Sequence, residues 1–346
     1  MSAKRIRMAG WGLVIVLAVL LPFFFGTYRV GQFTQAMALA IAVLGLNLLV
    51  GYSGQISLGH GAFFALGAYV SAISILDLGV PYLLTLPLAG LACGVAGFLI
   101  GIPALRLRGL YLALLTLGLA IATPQIIKRA EGLTGGTQGL SVDKVTAPAW
   151  SGLADDQWLY FVTLAVTAAM FVLAAFLVRG RVGRALVAIR DNEIAARTMG
   201  VDLARYKTGA FAVSSAYAGL GGALFTLPIG FLAPESFPLA LSFAFLAAIV
   251  VGGLATIAGA LFGALFIEFV PVCAADVDEA LAGVIYGGVL ILFMYVAPGG
   301  VMGLLRRVST KKEGPRGSDD AQAGADHQLG DRAAGAGAAR ERVRAR

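Results

Sequence analysis

Few residues in this sequence are equipped for chemistry, and they gather in two segments. The first, "GYSGQISLGHGAFF", residues 51–64, carries no charge and no proline. Its polar groups are Ser53, Gln55, Ser57 and His60, set among Gly51, Gly54, Gly59 and Gly61. Neutral hydroxyl and amide groups can hydrogen-bond a passing zwitterion without trapping it, and the glycines let a helix break and restart. Glycine-interrupted apolar segments commonly line the sites of membrane transporters. His60, whose imidazole in isolation titrates near neutral pH, could gate such a path; a neutral, hydrogen-bonded packing residue is the simpler expectation. The second segment, "RGRVGRALVAIRDNEIAARTMGVDLARYKTG", residues 179–209, is strongly basic with Asp191, Glu193 and Asp202 interspersed. Ala185, Leu186, Ile189, Ile194 and Ala195 or Ala196 recur at helical spacing. Two short helices, joined near Asp191–Asn192 and stopped by Gly200, follow from that pattern. Such a hairpin suits either a soluble protein partner or anionic lipid.

Other chemistries find no residues. Outside the last forty positions His60 is the only histidine, which leaves no His-based metal cluster. Cys93 and Cys273 are far apart and sit in or beside apolar runs, as small buried thiols do. No glycine precedes any of the six lysines, so the phosphate-cradling GxxxxGK[ST] loop is missing, and no HExxH or nucleophile elbow occurs. Within the apolar runs the one acid to note is Glu268; it has no evident basic partner and reads as a cavity-lining group or as an acid bonded to a neighbouring helix.

The elements that hold these segments are apolar spans. Hydrophobic residues make up 59% of the chain and charged ones 13%, which excludes an ordinary soluble domain. Runs near 9–28, 36–52, 58–77, 82–102, 109–127, 157–178, 208–230, 238–253, 256–273 and 280–303 are long enough, or nearly so, to cross a bilayer as helices. The expectation is an all-α polytopic membrane protein of about ten transmembrane helices. The first run is read as a retained span, since no small-x-small cleavage site follows it. Placing residues 1–8 in the cytoplasm puts Arg106, Arg108, Arg179, Arg181, Arg184, Arg190, Arg197, Arg205 and Lys207 inside, leaving only Arg29, Lys128, Arg129 and Lys144 outside. That distribution satisfies the positive-inside rule, so the net charge of +7 is a topology signal and nucleic acid is not needed to explain it. Both termini are then cytoplasmic.

The long outer connection, 128–156, contains "LTGGTQGL", a glycine turn around Gly135 and Gly136. Gly90/Gly94, Gly97/Gly101, Gly259/Gly263 and Gly283/Gly287 place small residues one turn apart, the device by which lipid-embedded helices approach closely. Residues 309–346 are poor in large apolar side chains and are expected to form a disordered cytoplasmic tail whose basic end can rest on lipid. The transmembrane part is therefore 9–308.

"RALVAIRDNEIAARTMGVDLARYK" resembles the cytoplasmic coupling loop of ABC-importer permeases, specifically of the branched-chain amino acid permease family. Glu193, Ala195, Ala196 and Gly200 match the EAA…G signature of that loop, with Ile194 inserted after the glutamate. "LNLLVGYSGQISLGHGAFFALGAYVSA", "LRLRGLYLALLTLGLA", "LTGGTQGL", "PESFPLALSFAFLAAIVVGGLATIAGALFGA" and "GVIYGGVLILFMYVAPGGVMGLL" resemble family segments in the family's order, and the second, with the long loop, is similar to the M type of its two permeases. The resemblance implies an ABC-importer permease bundle in a bacterial inner membrane. It implies a homologous second permease, two cytoplasmic ABC ATPases that hydrolyse the ATP, and a periplasmic binding protein; no cofactor or metal would be bound by this chain. By the same resemblance Gly51, Ser53, Gly54, Gln55, Ser57, Gly59 and His60 lie on the translocation pathway. Arg184, Arg190, Glu193, Ala195, Ala196 and Gly200, within a coupling loop 179–207, face the ATPases, and Gly135 and Gly136 face the binding protein. Urea or short amides are the rival cargo within the family. A self-contained secondary transporter or channel is the rival of another class, and a membrane enzyme a more distant one.

Overall fold

The structure is a computed structural model and describes residues 17–105, 107, 109–278, 281–297 and 299–304. Residues 17–24 are helical (α1), followed by α2 (Thr27–Asn47), α3 (His60–Leu76), α4 (Tyr82–Ala104), α5 (Leu110–Arg129) and the one-turn α6 (Glu131–Thr134). Next come α7 (Asp155–Arg179), α8 (Arg181–Asp191), α9 (Glu193–Thr198), α10 (Leu203–Ile229), α11 (Leu239–Gly252), α12 (Ile257–Val277) and α13 (Ala282–Val296). Among the described residues eight helical stretches are long and apolar enough to cross a membrane, and α3, at 17 residues, is shorter. The first expected span, 9–28, lies largely outside the described residues.

α10 is the centre of the bundle and packs against α2, α3 and α4. Its sequence explains this. "YAGLGGALF" puts Gly219, Gly221 and Gly222 on three sides of one turn, each meeting a different neighbour. Gly219 receives Gly67 of α3 and Cys93 of α4, Gly221 lies on the Ala38 carbonyl of α2, and Gly222 lies on Phe64 of α3. Without a hydrophobic drive between helices in lipid, such backbone approach supplies the packing. α2 answers in kind: Ala38, Ala40, Ile41, Ala42, Val43 and Leu44 are fully buried, as expected of a helix that is apolar all round. The expected Gly90/Gly94 and Gly97/Gly101 pairs of α4 face α10, and Gly259/Gly263 face α11. Gly283 and Gly287 of α13 meet nothing within 4 Å, so that pair forms no seam among the described residues.

Three helix boundaries differ from the sequence expectation. α2 begins at Thr27 rather than near residue 36, because Arg29 donates to Gln32 at 3.1 Å and Gln32 to Tyr28 at 3.3 Å, satisfying these polar groups on the helix itself. α10 starts at Leu203, five residues before the apolar run, with Asp202 as its cap. α12 runs through Pro271 to Val277; a buried or membrane-embedded helix tolerates proline where neighbours compensate. The outer connection is not all coil: Leu140–Ser141 (β1) pairs antiparallel with Phe231–Leu232 (β2). Cys93 is buried as expected, but Cys273 is exposed, on a side of α12 that no other described element covers. The tail 309–346 lies outside the described residues.

The two classes of glycine pair give a direct contrast. Gly67→Ala should cost about 1–3 kcal/mol through overpacking against Gly219, whereas Gly283→Ala should leave stability unchanged or slightly raised. Thermal unfolding of the detergent-solubilised protein would read the difference.

Candidate functional site

α2 does not end cleanly. Its last turn widens into a π-helix over Leu48–Tyr52, a feature often found at functional positions. Ser53 Oγ donates back to the Leu49 carbonyl at 2.8 Å, and Gly54 turns the chain with φ +71°. Residues 54–59 are non-helical until α3 starts at His60. The break expected from the glycines is present. Ser53, Gln55, Ser57 and His60, however, are all buried and bonded within the protein. Gln55 Nε2 donates to Ser53 Oγ at 2.9 Å and to the Lys207 carbonyl at 3.2 Å, and Ser57 Oγ accepts from Gly59 N–H. His60 Nε2 lies 2.7 Å from the Ala42 carbonyl, which can only accept, so Nε2 carries the proton; Phe245 meets the ring edge-on. The reason is general: an interrupted helix frees backbone N–H and C=O groups, and short polar side chains are there to satisfy them. Gly54 and Ile56 are the exposed members of the segment.

Two glycines of the segment mark close approaches. A Cβ on Gly59 would stand 2.7 Å from the Thr116 carbonyl of α5, and one on Gly51 would stand 2.6 Å from the Ala255 nitrogen. The Leu58 N–H is taken up by Thr116 Oγ1 at 2.9 Å, and the Gly61 N–H by Ser242 Oγ at 3.1 Å. The broken span is thereby tied to α5 and α11.

The basic segment folds as two helices, α8 and α9, hinged at Asn192. The Asn192 side chain caps α9, accepting from the N–H groups of Ile194 and Ala195 at 3.0 Å each. Gly200, with φ +83°, ends the hairpin in the left-handed region that glycine tolerates. Leu186, Ile189 and Ala196 are buried against the bundle, while Ala195, Ile194 and Met199 face outward. Glu193 forms an ion pair with Lys207 of α10. Arg184 is exposed and bonds only locally, to the Arg179 carbonyl.

Arg190 joins the two segments. Its Nη1 donates to the Gly51 carbonyl at 2.8 Å, its Nε and Nη2 hold Asp191 at 3.1 Å, and its methylene stem lies over Gly54. The structure thus brings Arg190, Gly51, Gly54 and, through the Lys207 carbonyl, Gln55 and Ser53 into one junction. Arg184 is not part of it.

Sequence reasoning missed Asn47. Fully buried, it donates to the Thr256 carbonyl at 2.8 Å and accepts from the Ala255 N–H at 2.9 Å. These bonds hold the α11–α12 turn, where Ala255 takes φ +55°, the only positive φ of a non-glycine among the described residues. The available signal was an asparagine one helical turn before Gly51 in an otherwise apolar run.

The far end of α10, a 27-residue helix about 40 Å long at 1.5 Å per residue, holds the other predicted glycines. Gly135 and Gly136 have φ of +68° and +57° and fold the connection over α5. Thr134 Oγ1 donates to the Ile127 carbonyl at 2.7 Å, and Lys128 pairs with Glu235 at 2.8 Å. Among the described residues no group of acids, histidines and cysteines could hold a metal. Glu268 is partly buried on α12 and makes no ion pair among those residues.

Residues 28–294 match the model of the branched-chain amino acid transport system permease component family. The chain belongs to that family. LivM of Salmonella typhimurium, a high-affinity branched-chain amino acid transport system permease protein, is 34% identical over 87% of this chain and 76% of its own length. BraD of Pseudomonas aeruginosa is 26% identical over 79% of this chain and 94% of its own, and LivH of Escherichia coli 24% over 78% and 92%. This permease is thus an all-α, multi-pass membrane protein of the M type and a component of branched-chain amino acid transport.

The junction in the permease yields two expectations. Asn47→Leu strands the Ala255 N–H and Thr256 carbonyl and should cost about 2–6 kcal/mol, at about 1–3 for each unsatisfied group, seen as a lowered unfolding temperature in detergent. Gly54→Leu forces a side chain into the left-handed region and onto Arg190, so solute uptake should be lost while the protein still assembles; normal uptake would separate this turn from transport.

Proposed function

We propose that this permease is the membrane-spanning subunit of an ATP-driven importer of branched-chain amino acids in a bacterial inner membrane. It pairs with a homologous permease and two cytoplasmic ABC ATPases, and takes its cargo from a periplasmic binding protein. The chain carries no nucleotide site of its own in this reading; ATP is hydrolysed by the partner subunits. The printed functions of LivM, BraD and LivH support the cargo class. The distribution of basic residues supports an orientation with α8–α9 in the cytoplasm and β1–β2 in the periplasm.

The observation that carries the coupling role is the Arg190–Gly51 contact. An ATPase that grips α8–α9 moves Arg190, and Arg190 holds the carbonyl at the widened end of α2. From there Asn47 leads to the α11–α12 turn, and Gln55 leads back to α10. Rigid-body motion of the hairpin therefore reaches two interruptions in the membrane part, the places where backbone can change conformation at least cost. Ile194 and Met199, 77% and 84% exposed on the basic hairpin, are the apolar contacts a protein partner would cover. At the other end Gly136 is buried within its turn and Gly135 only partly exposed, so the two glycines shape the connection whose exposed residues, Thr137 and Gln138 among them, are offered to the binding protein.

Co-purification from native membranes in mild detergent tests the assembly. A second permease and two P-loop ATPases should be retained, and a chain that purifies alone yet moves leucine without ATP would reject the importer reading. Glu193→Lys sets two ammonium groups side by side in place of the Lys207 pair. In proteoliposomes it should leave ATP hydrolysis running while leucine uptake falls about tenfold or more, about 1.4 kcal/mol per factor of ten; full coupling would remove the hairpin from the mechanism. A Cβ at Gly200 would meet nothing within 4 Å, but Gly200→Trp forces a strained φ, so a milder loss is expected.

A further inference from the structure

Between α3, α4, α5 and α6 a half-open groove of about 300 Å³ runs from the first turn of α3 towards the β1–β2 end; its wall is almost wholly apolar, with Leu66, Ile73, Ala96, Leu119 and Ile126 among its lining residues. That volume is at the small end of those that hold small ligands. Three polar side chains reach the wall: Tyr69, Thr123 and Thr134. The threonines are spent on their own helices and turn, Thr123 Oγ1 donating to the Leu119 carbonyl at 2.8 Å and Thr134 Oγ1 to that of Ile127. Tyr69 is 3% exposed, and its hydroxyl has no hydrogen-bond partner among the described residues. Buried hydroxyls are normally satisfied, so one left over beside a groove marks a position for a transient partner.

The remaining chemistry lies next along the chain. Ile126 and Ile127 line the groove, and the next residue, Lys128, pairs with Glu235 across 2.8 Å, both side chains reaching solvent. Phe237, two residues after Glu235, contacts the Tyr69 ring with centroids 5.9 Å apart. An apolar groove with one free hydroxyl on its wall, and a cation–anion pair next along the chain whose Glu235 interacts electrostatically with Tyr69, is complementary to a zwitterion with a short aliphatic side chain. A lipid acyl chain would use the same wall but has no use for the charged pair or the hydroxyl.

We propose that this groove is a transit subsite of the permease, taking the aliphatic side chain of a branched-chain amino acid while Tyr69, Lys128 and Glu235 receive its ammonium and carboxylate. It rests on the importer reading above and places a cargo contact within this chain. The test uses the full transporter with its binding protein in proteoliposomes, with leucine and valine as cargoes. Ala96→Phe, which fills the groove from α4, should lower leucine uptake relative to valine by about tenfold, the range one methylene commands in an apolar pocket. Binding-protein-stimulated ATP hydrolysis should persist. Tyr69→Phe, which keeps the ring and removes only the hydroxyl, should slow both cargoes several-fold at unchanged ATP hydrolysis, and it decides the matter alone should Ala96→Phe fail to assemble. Wild-type rates in Tyr69→Phe, or an unchanged leucine-to-valine ratio in an assembled Ala96→Phe, would overturn the subsite. So would variants whose stability, but not uptake, tracks the acyl length of the liposome lipid. Loss of ATP-driven uptake in the unmodified transporter would instead refute the importer reading itself.

Discussion

One hydrogen bond joins the basic hairpin of this permease to its interrupted span: the Arg190 guanidinium on the Gly51 carbonyl. A helix end in a membrane protein leaves carbonyls that lipid cannot satisfy. Here the carbonyl at the widened end of α2 is met by a charged donor from an element outside the apolar bundle. With Arg190 about a third exposed, the bond belongs at the low end of the roughly 1.5–3 kcal/mol of charge-assisted contacts. That is enough to hold a geometry and small enough to be redirected by a partner. The choice of arginine follows from its fork of donors, which spans Gly51 and Asp191 at once where a lysine ammonium would serve as a point charge.

The rest of the bundle divides into parts packed backbone to backbone and parts held by side-chain hydrogen bonds. α10 meets α3 and α4 through Gly219, with Gly67 and Cys93 against it, and such backbone contact leaves no slack. The interruptions at residues 54–59 and at the α11–α12 turn are held by side chains instead, through Asn47, Ser53, Gln55 and Thr116. Bonds of this kind can be exchanged without opening the core. The junction is therefore a seam of side-chain hydrogen bonds between a glycine-packed centre and the hairpin, and its members are the residues through which a force on α8–α9 would be felt.

The sequence made the spans legible because twenty-residue apolar runs have few alternatives in physical chemistry. It also placed the hairpin, since Asn192 and Gly200 are strong local punctuation. What stayed hidden was non-local. Ser53, Gln55 and Ser57 read as groups offered to a passing solute, yet the helix break they accompany consumes their hydrogen bonds, and only the fold shows that Lys207 and Thr116 are beside that break. Asn47 was passed over because its partners lie about two hundred residues away. The start of α2 at Thr27 was obscured by Arg29 and Gln32, polar residues that pair with each other along the helix. Arg184 and Arg190 are alike in the sequence, and only geometry separates the one that reaches Gly51 from the one that does not.

The measurement closest to the central claim is the ratio of leucine transported to ATP hydrolysed in proteoliposomes for Arg190→Gln, which keeps a donor but removes the charge and the fork. If Arg190 carries motion from the hairpin to the interrupted span, hydrolysis continues while the ratio falls severalfold, and the complex remains assembled. An unchanged ratio would contradict the account, for the hairpin would then have to act on the membrane part by a route that avoids Gly51.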